Sequence, residues 1–351
     1  MRDVRVLIPS IGHPTRPSLV DAMRDNGERA VEVVGVDMDG DGIAPFVPDR
    51  FHRVPSRNDP RYIDRILEIC RAERIDAYYA LGEEEAIASS ERRAEFTSIG
   101  VGVITPGSAE MLRIASNKAR YHEYFAVRGI PHARFQNIRH ADELEAAIRD
   151  MGYPDRDVFL KPASSKGGRG ARLVSAQRPD RARPDAKASD FPVQSLEAVL
   201  ASVAGLEERA FVELIAMEYL PGTYYSVDVL SADGKPYYAI PKIRIQGSAS
   251  NTTTGEVDMN ADAIRLASRA CEAFGFSFLQ NYEMKVDANG QPFIYDINPR
   301  GGTSLILCAA AGANIAYYAV KMALGEDIPR VEVKDHVRMY RAYREYFRVP
   351  G

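Results

Sequence analysis

Three stretches of this chain combine residue types that do chemistry with spacings that bring them together. The first is Gln280–Arg300. Gln280–Val286 and Phe293–Asn298 read as two strands joined through Asn289-Gly290, a pair that favours a hairpin turn. Glu283 and Asp296 then fall on facing strands, and Asn298, two residues past Asp296, shares its face. Two carboxylates and an amide oxygen make a hard-oxygen set suited to Mg²⁺. Apolar Ile294, Ile297 and Leu305 surround them, which makes a bare carboxylate costly and argues against a plain solvated face. Arg300 follows at once, with a planar guanidinium fit to hold a phosphate oxygen.

The second stretch is Phe159–Gly170. An apolar strand runs into Lys161, then into a small-residue loop with Ser165, Lys166, Gly167, Gly168, Arg169 and Gly170, then into Ala171–Val174. Glycine lets backbone N–H groups approach phosphate oxygens closely, and the lysines and arginine add charge. The order of a Walker A loop is missing and no helix follows, so a flexible hairpin loop is the plain alternative. The third stretch is Ala216–Gly222, where a strand ends in an apolar hinge and a Pro-Gly turn. Taken alone it is an ordinary loop.

The elements that carry these stretches fall into two patterns. Short apolar runs at Val4–Ile8, Val31–Val36, Ala77–Leu81 and Val101–Ile104 alternate with helices at Ser18–Asn26, Tyr62–Glu73 and Glu83–Phe96. That alternation predicts a parallel sheet covered on both faces, a doubly wound α/β domain over residues 1–112. Beyond it the sequence predicts helices over Ser116–Arg128, with Ser116 as N-cap, and over Asp142–Met151. Strands are predicted at Val158–Leu160, Ala171–Ser175, Phe211–Ile215, Tyr224–Leu230 and Tyr237–Ile243, so the remainder is α+β. Gln177–Gln194 is a polar, Pro- and Arg-rich excursion. Val337–Val349 alternates as a strand with one buried face would.

Composition narrows the function classes. The chain has 351 residues, 45% of them apolar, and a formal net charge of −4. That gives no electrostatic case for a nucleic-acid or polybasic membrane partner. No run of about 18 apolar residues exists to span a bilayer. Met1-Arg2-Asp3 leads straight into a strand, without the apolar core of a signal peptide. Three cysteines far apart fit a reducing, cytoplasmic setting and no disulfide scaffold. Only nine of the 45 basic residues are lysine. Lys118, Lys161, Lys166 and Lys242 therefore stand out, because a compact ammonium does work that arginine does not.

Taken in order, Asn117-Lys118 before a helix, Lys161-Pro162 before a glycine-rich loop, Glu218-Tyr219-Leu220-Pro221-Gly222 and Asp296-Ile297-Asn298-Pro299-Arg300-Gly301-Gly302 resemble the ATP-grasp superfamily. The likeness is nearest to the branch of carbamoyl-phosphate synthetase large subunits, D-alanine–D-alanine ligases and biotin carboxylases. The resemblance implies an ATP-grasp fold: a Rossmann-like pre-ATP-grasp domain (1–112), a lid domain with the glycine-rich loop (113–216), a catalytic body with the Mg²⁺ site (217–330) and a tail (331–351). It implies ATP and Mg²⁺, or Mn²⁺ in its place. Lys118 and Lys161 match the nucleotide-contacting lysines, and Ser165, Lys166, Gly167, Gly168 and Gly170 the loop that closes over phosphates. Glu218, Tyr219 and Leu220 match the adenine-reading hinge, and Glu283, Asp296 and Asn298 the metal ligands. Arg300 matches the arginine that steadies the transferred phosphoryl group. Lys242 and Arg244 fall where relatives place basic residues near the γ-phosphate and substrate.

Two positions depart from the pattern. Tyr224 stands where relatives often carry a ribose-binding glutamate, and Asp296 where most have glutamate. The activity implied is an ATP-dependent carboxylate–amine ligase acting on small molecules, in a superfamily where homodimers are common. The alternatives are activation of bicarbonate and a catalytically degenerate nucleotide-binding module.

Overall fold

The computed structural model describes residues 2–164, 169–177, 191–204, 210–248 and 251–348. Ser165, Lys166, Gly167 and Gly168 of the glycine-rich loop, and most of the Gln177–Gln194 excursion, lie outside the described residues.

The first hundred residues form a five-stranded parallel sheet. Its strands are β1 (Val4–Pro9), β2 (Val31–Asp37), β3 (Arg50–Arg53), β4 (Ala77–Tyr79) and β5 (Gly102–Ile104), in the spatial order β3-β2-β1-β4-β5. Val6, Leu7, Ile8, Val33, Val34 and Val36 are fully buried, as strands covered on both faces require. The covering helices are α1 (Arg16–Arg24), α2 (Tyr62–Glu73), α3 (Glu83–Glu91) and α4 (Arg93–Ser98). The helix expected over Glu83–Phe96 is thus two helices, broken at Arg92. β3, a charged edge strand, was not expected.

Helices α5 (Ala109–Ala115) and α6 (Lys118–Val127) lead out of this domain. The N-cap of α6 is Asn117, whose side chain accepts the Arg120 N–H at 3.0 Å, and not Ser116. Ser116 instead closes α5, its N–H donating to Leu112 O. A second sheet follows, built from β6 (Phe135–Ile138), β7 (Val158–Pro162), β8 (Arg172–Val174), β9 (Val193–Gln194) and β10 (Leu214–Glu218) in the order β6-β10-β7-β8-β9. Alternation along β7 sends Val158 and Leu160 toward α7 (Leu144–Asp150) and α8 (Leu196–Val203). Phe159 and Lys161 fall on the other face.

The third sheet is the body. It comprises β11 (Tyr224–Ala232), β12 (Lys235–Gly247), β13 (Thr252–Val257), β14 (Phe278–Val286), β15 (Pro292–Asn298) and β16 (Arg338–Tyr340), in the order β15-β14-β11-β12-β13-β16, all antiparallel. One face is apolar: Tyr225, Val227, Val229, Tyr282, Met284 and Ile297 pack on α9 (Ala261–Phe274). α9 is fixed at both ends. Asn260 accepts the Ala263 N–H at 2.9 Å, and Gly275 ends it at φ +62. It buries Ala263, Leu266, Ala267, Ala270, Cys271 and Phe274, a 3.6-residue stripe. The opposite face of the sheet carries Ser226, Asp228, Asn281, Glu283, Asp296 and Asn298. α10 (Ile306–Ala310) and α11 (Ile315–Ala323) then join body and entry domain, with Tyr79 donating to Ala316 O at 3.2 Å. The tail strand covers three residues, shorter than the alternation through Phe347 suggests, and Tyr343 and Phe347 are exposed.

Candidate active site

The hairpin of β14 and β15 sets the floor of the site. Its register pairs Glu283 directly with Asp296 and Asn281 with Asn298, so the four side chains share one face. The loop between the strands spans five residues, Asp287–Gln291, with Gly290 at φ +86, and is not a two-residue turn. Between Asp296 and Ile294 the register slips by one residue, leaving Tyr295 unpaired in a bulge. Its carbonyl accepts Lys161 Nζ and Tyr121 OH, each at 2.5 Å. Its phenol turns back and donates to Glu283 Oε2 at 3.1 Å.

The carboxylates are unequal. Burial and the neighbouring charge of Asp296 push the Glu283 carboxyl above its ordinary pKa. Asp296 Oδ1 lies 3.1 Å from Lys118 Nζ. Asn298 Nδ2 sits 3.4 Å from Glu283 Oε1, and its Oδ1 accepts from Arg300 at 3.1 Å. Two facing carboxylates, an amide and flanking cations thus converge from β14, β15, α6 and β7. Among the described residues no three His, Cys, Asp or Glu side chains cluster as a metal site.

Lys118 is the first residue of α6. Its N–H donates to Ala163 O at 2.8 Å, which ties the helix start to the end of β7. Lys161 is buried between the two sheets. Burial lowers its pKa to about 7, the Lys118 charge adding to the effect against the opposing pull of Asp296 and Glu283. Gly170, past the undescribed part of the loop, has φ +75, and a Cβ there would lie 2.9 Å from Pro162 Cγ. Any other residue would meet both obstacles.

The Glu218–Leu220 hinge is fixed from two sides. Glu218 Oε1 accepts the Arg134 N–H at 2.7 Å, and Leu220 O accepts Lys285 Nζ at 3.3 Å. Tyr219 lies beside Lys285, whose Nζ is 5.8 Å from its ring centre. Ile215, Met217 and Leu220, with Phe159 and Phe293, make an apolar patch next to the hinge. Tyr224 lies under Arg244, the guanidinium carbon 3.9 Å from the ring centre, and Arg244 Nε donates to Thr252 Oγ1 at 3.2 Å.

Lys242, expected near a phosphate, lies in the same row of the sheet as Ser226, Glu283 and Asp296 and is held in an ion pair. Its ammonium is 2% exposed and pairs with Asp228, which is 0% exposed. Burial works against the ammonium, but the Asp228 carboxylate outweighs it and the Lys242 pKa lies above the ordinary lysine value. Asp228 was missed by sequence reasoning. The signal was there: an acid in the apolar run Val227-Asp228-Val229-Leu230. It also accepts Gly302 N at 2.7 Å and Asn281 Nδ2 at 3.0 Å, so it anchors the Gly301-Gly302 turn behind Arg300.

Comparison with known proteins agrees with this architecture. Residues 210–344 match the family described as ATP-grasp in the biosynthetic pathway with Ter operon, and residues 6–104 match the PylC-like N-terminal domain. The chain thus resembles the ATP-grasp superfamily in sequence and has its fold. It is 22% identical to a D-alanine–D-alanine ligase of Methylococcus capsulatus over 307 residues, covering 86% of this chain and 85% of that one. It is 24% identical over 274 residues to the arginine-specific carbamoyl phosphate synthase large chain of Geobacillus stearothermophilus. There it covers 77% of its own length but spans only 24% of the relative. The ADP complex of N5-carboxyaminoimidazole ribonucleotide synthetase superposes with a TM-score of 0.66 at 15% identity, covering 94% of this chain and 78% of that one. Among the described residues no helix is long and apolar enough to cross a membrane.

Proposed function

We propose that this chain is an ATP-dependent ligase that activates a small-molecule carboxylate as an acyl phosphate and passes it to an amine. The observation that carries the reading is the facing pair Glu283 and Asp296, with Asn298 beside them and cations on both flanks. The donor set fits a hard dication: two facing carboxylates, one with its pKa raised by burial and by the other's charge, are relieved by a cation between them. Mg²⁺ held by Glu283, Asp296 and Asn298 would neutralise charge on the β- and γ-phosphates.

The residues of the chain supply the rest. A carboxylate oxygen attacks the γ-phosphorus, the bond to the β-phosphate oxygen breaks, and ADP leaves. Arg300, held by Asn298 and Gly301 O, would steady the transferred group. Lys161 and Lys118 supply charge from the lid side. Lys161 is largely desolvated, and a phosphate anion nearby would hold it protonated. The hinge at Glu218–Leu220 and its apolar patch would take the adenine, and Tyr224 the ribose. Asp228, paired with Lys242 on the same face, would act by holding the Gly302 turn. Attack by an amine nitrogen on the acyl carbon then expels phosphate, and the amine proton passes to solvent.

The reading is tested by ADP release, screened over pairs of amino acids, peptides and sugar acids, followed by mass spectrometry of the product. An amide that appears only with both substrates supports it. Incorporation of labelled bicarbonate with no amide would replace it with carboxylation.

A further inference from the structure

The ligase chemistry leaves unused a group of cations near the site: Arg57 and His13 line its cavities, while Arg16 and Arg341 stand behind them. Arg16 opens α1, Arg57 lies beyond β3, Arg341 follows β16, and His13 sits in the turn after β1. Arg57 borders one cavity together with Arg300, Lys118 and Asp296. It also borders a second, together with Ser10, His13 and the acids Asp37, Asp39 and Glu85. The two spaces meet at Arg57 and run from the carboxylate pair to the C-terminal ends of the parallel strands, where open α/β sheets take their ligands.

These cations act on one another. Burial and the charges of Arg16, Arg300, Arg341 and Arg57 hold the His13 pKa down at about 4. Burial, Arg300 and Arg57 bring Arg16 down to about 10. Among the described residues none of the four guanidiniums has a carboxylate oxygen within 4.0 Å. Glu85 is the acid whose charge reaches Arg16, but its oxygens are taken by Tyr62 OH and by the Leu81 and Gly82 amides. Arg57 donates to Ser10 Oγ, and Arg341 to Asn251 Oδ1 and Thr303 O. Arg16 Nε is buried with no hydrogen-bond partner. It stands in the first turn of α1, a helix with no side-chain cap, whose N-terminus adds positive potential.

A single carboxylate satisfies one guanidinium bidentately, and Arg300 is taken up by the transferred group in the ligase reading. Three further guanidiniums and a helix N-terminus match a dianion. We propose that the cleft takes an acid carrying a phosphate monoester besides the carboxylate to be activated, with Arg57, Arg16 and Arg341 holding the phosphate. The inference rests on the ligase reading for where the carboxylate goes, but not for binding of the phosphate itself.

Inorganic phosphate is the first probe, titrated by calorimetry without nucleotide into the full chain, Arg57→Gln, Arg16→Gln and the lid variant Arg139→Gln. Binding that weakens at least tenfold in Arg57→Gln and Arg16→Gln, with Arg139→Gln unchanged, supports the proposal. Should Arg16→Gln fail to fold, Arg57→Gln decides alone. Phosphate binding that is absent, or indifferent to Arg57, overturns it. ADP formation is then compared between acids with and without a phosphate ester, and with dicarboxylic acids. A preference of tenfold or more for the phosphorylated acid is expected. Equal rates, or a preference for dicarboxylic acids, overturn the proposal. Arginine-dependent phosphate binding with no acid turned over would leave the anion site standing and remove the ligase reading.

Discussion

Glu283 and Asp296 face each other directly across the β14–β15 pair, and Lys118 of α6 lies 3.1 Å from Asp296. The carboxylate pair therefore belongs to the body, while one of its counter-charges comes from the helix that leads into the second sheet.

Asp296→Asn removes one of the facing charges and the carboxylate that lies 3.1 Å from Lys118 Nζ. The account predicts a loss of at least 100-fold in substrate-dependent ADP formation, with the fold kept, because Asn preserves shape and hydrogen bonding. Relief from the Asp296 charge also lowers the Glu283 pKa toward its ordinary value. Steady-state kinetics beside a circular dichroism spectrum checks the first point. Unchanged kinetics would mean the pair is not the catalytic metal site.

The Lys242–Asp228 pair has the opposite signature. Asp228→Ala strands a buried ammonium and frees the Gly302 N–H, and a change of this kind costs on the order of 3–5 kcal/mol. Lys242→Met with Asp228→Leu removes both charges and is expected to cost less than the single change. Urea unfolding of the two variants gives the comparison. A double variant less stable than Asp228→Ala would show that the pair contributes more than its mutual neutralisation.

Asn117→Ala removes the side-chain cap of α6, a loss of about 1 kcal/mol. Because Lys118 follows at once, the change should also raise the KM for ATP, whereas Ser116→Ala should leave both stability and KM nearly unchanged. Unfolding curves and ATP titrations of the two variants separate the positions.

His13 gives a pH prediction. Its folded pKa of about 4 lies below the ordinary value of 6.5, mainly through burial, with Arg16, Arg300, Arg341 and Arg57 adding to it. Between pH 6.5 and 4 the unfolded chain therefore binds more protons at this residue. The stability tied to neutral His13 is present above pH 6.5 and is lost as pH falls toward 4. His13→Gln should show a shallower fall in urea midpoint over that window than the parent. The His13 ring protons, followed by NMR, should titrate near 4. Titration near 6.5 would mean that His13 is solvated and that neither burial nor the arginines hold its pKa down.

Much of the fold and the site was legible in the sequence where the signal is local. Alternation in Tyr282-Glu283-Met284 and in Asp296-Ile297-Asn298 already separates the polar face from the one that packs on α9. Near-continuous apolar runs in β1 and β2 mark strands buried on both faces. What the sequence did not reveal depends on contacts between distant residues. Either Ser116 or Asn117 could cap a helix, and the bond from Lys118 N to Ala163 O sets the start. The bulge at Tyr295 comes from pairing with β14. The tail alternates through Phe347, yet β16 pairs with β13 only over Thr254–Glu256. Arg57 is one arginine in a chain rich in them, and only the strand order brings it to the cavity that Arg300 lines.

The measurement closest to the central claim is ADP and phosphate release by the parent chain and by Glu283→Ala with Asp296→Ala, with MgATP and the carboxylate and amine that give product. The account predicts release that needs both substrates in the parent and falls to background in the double variant. Release that survives the double substitution, still dependent on both substrates, would contradict it.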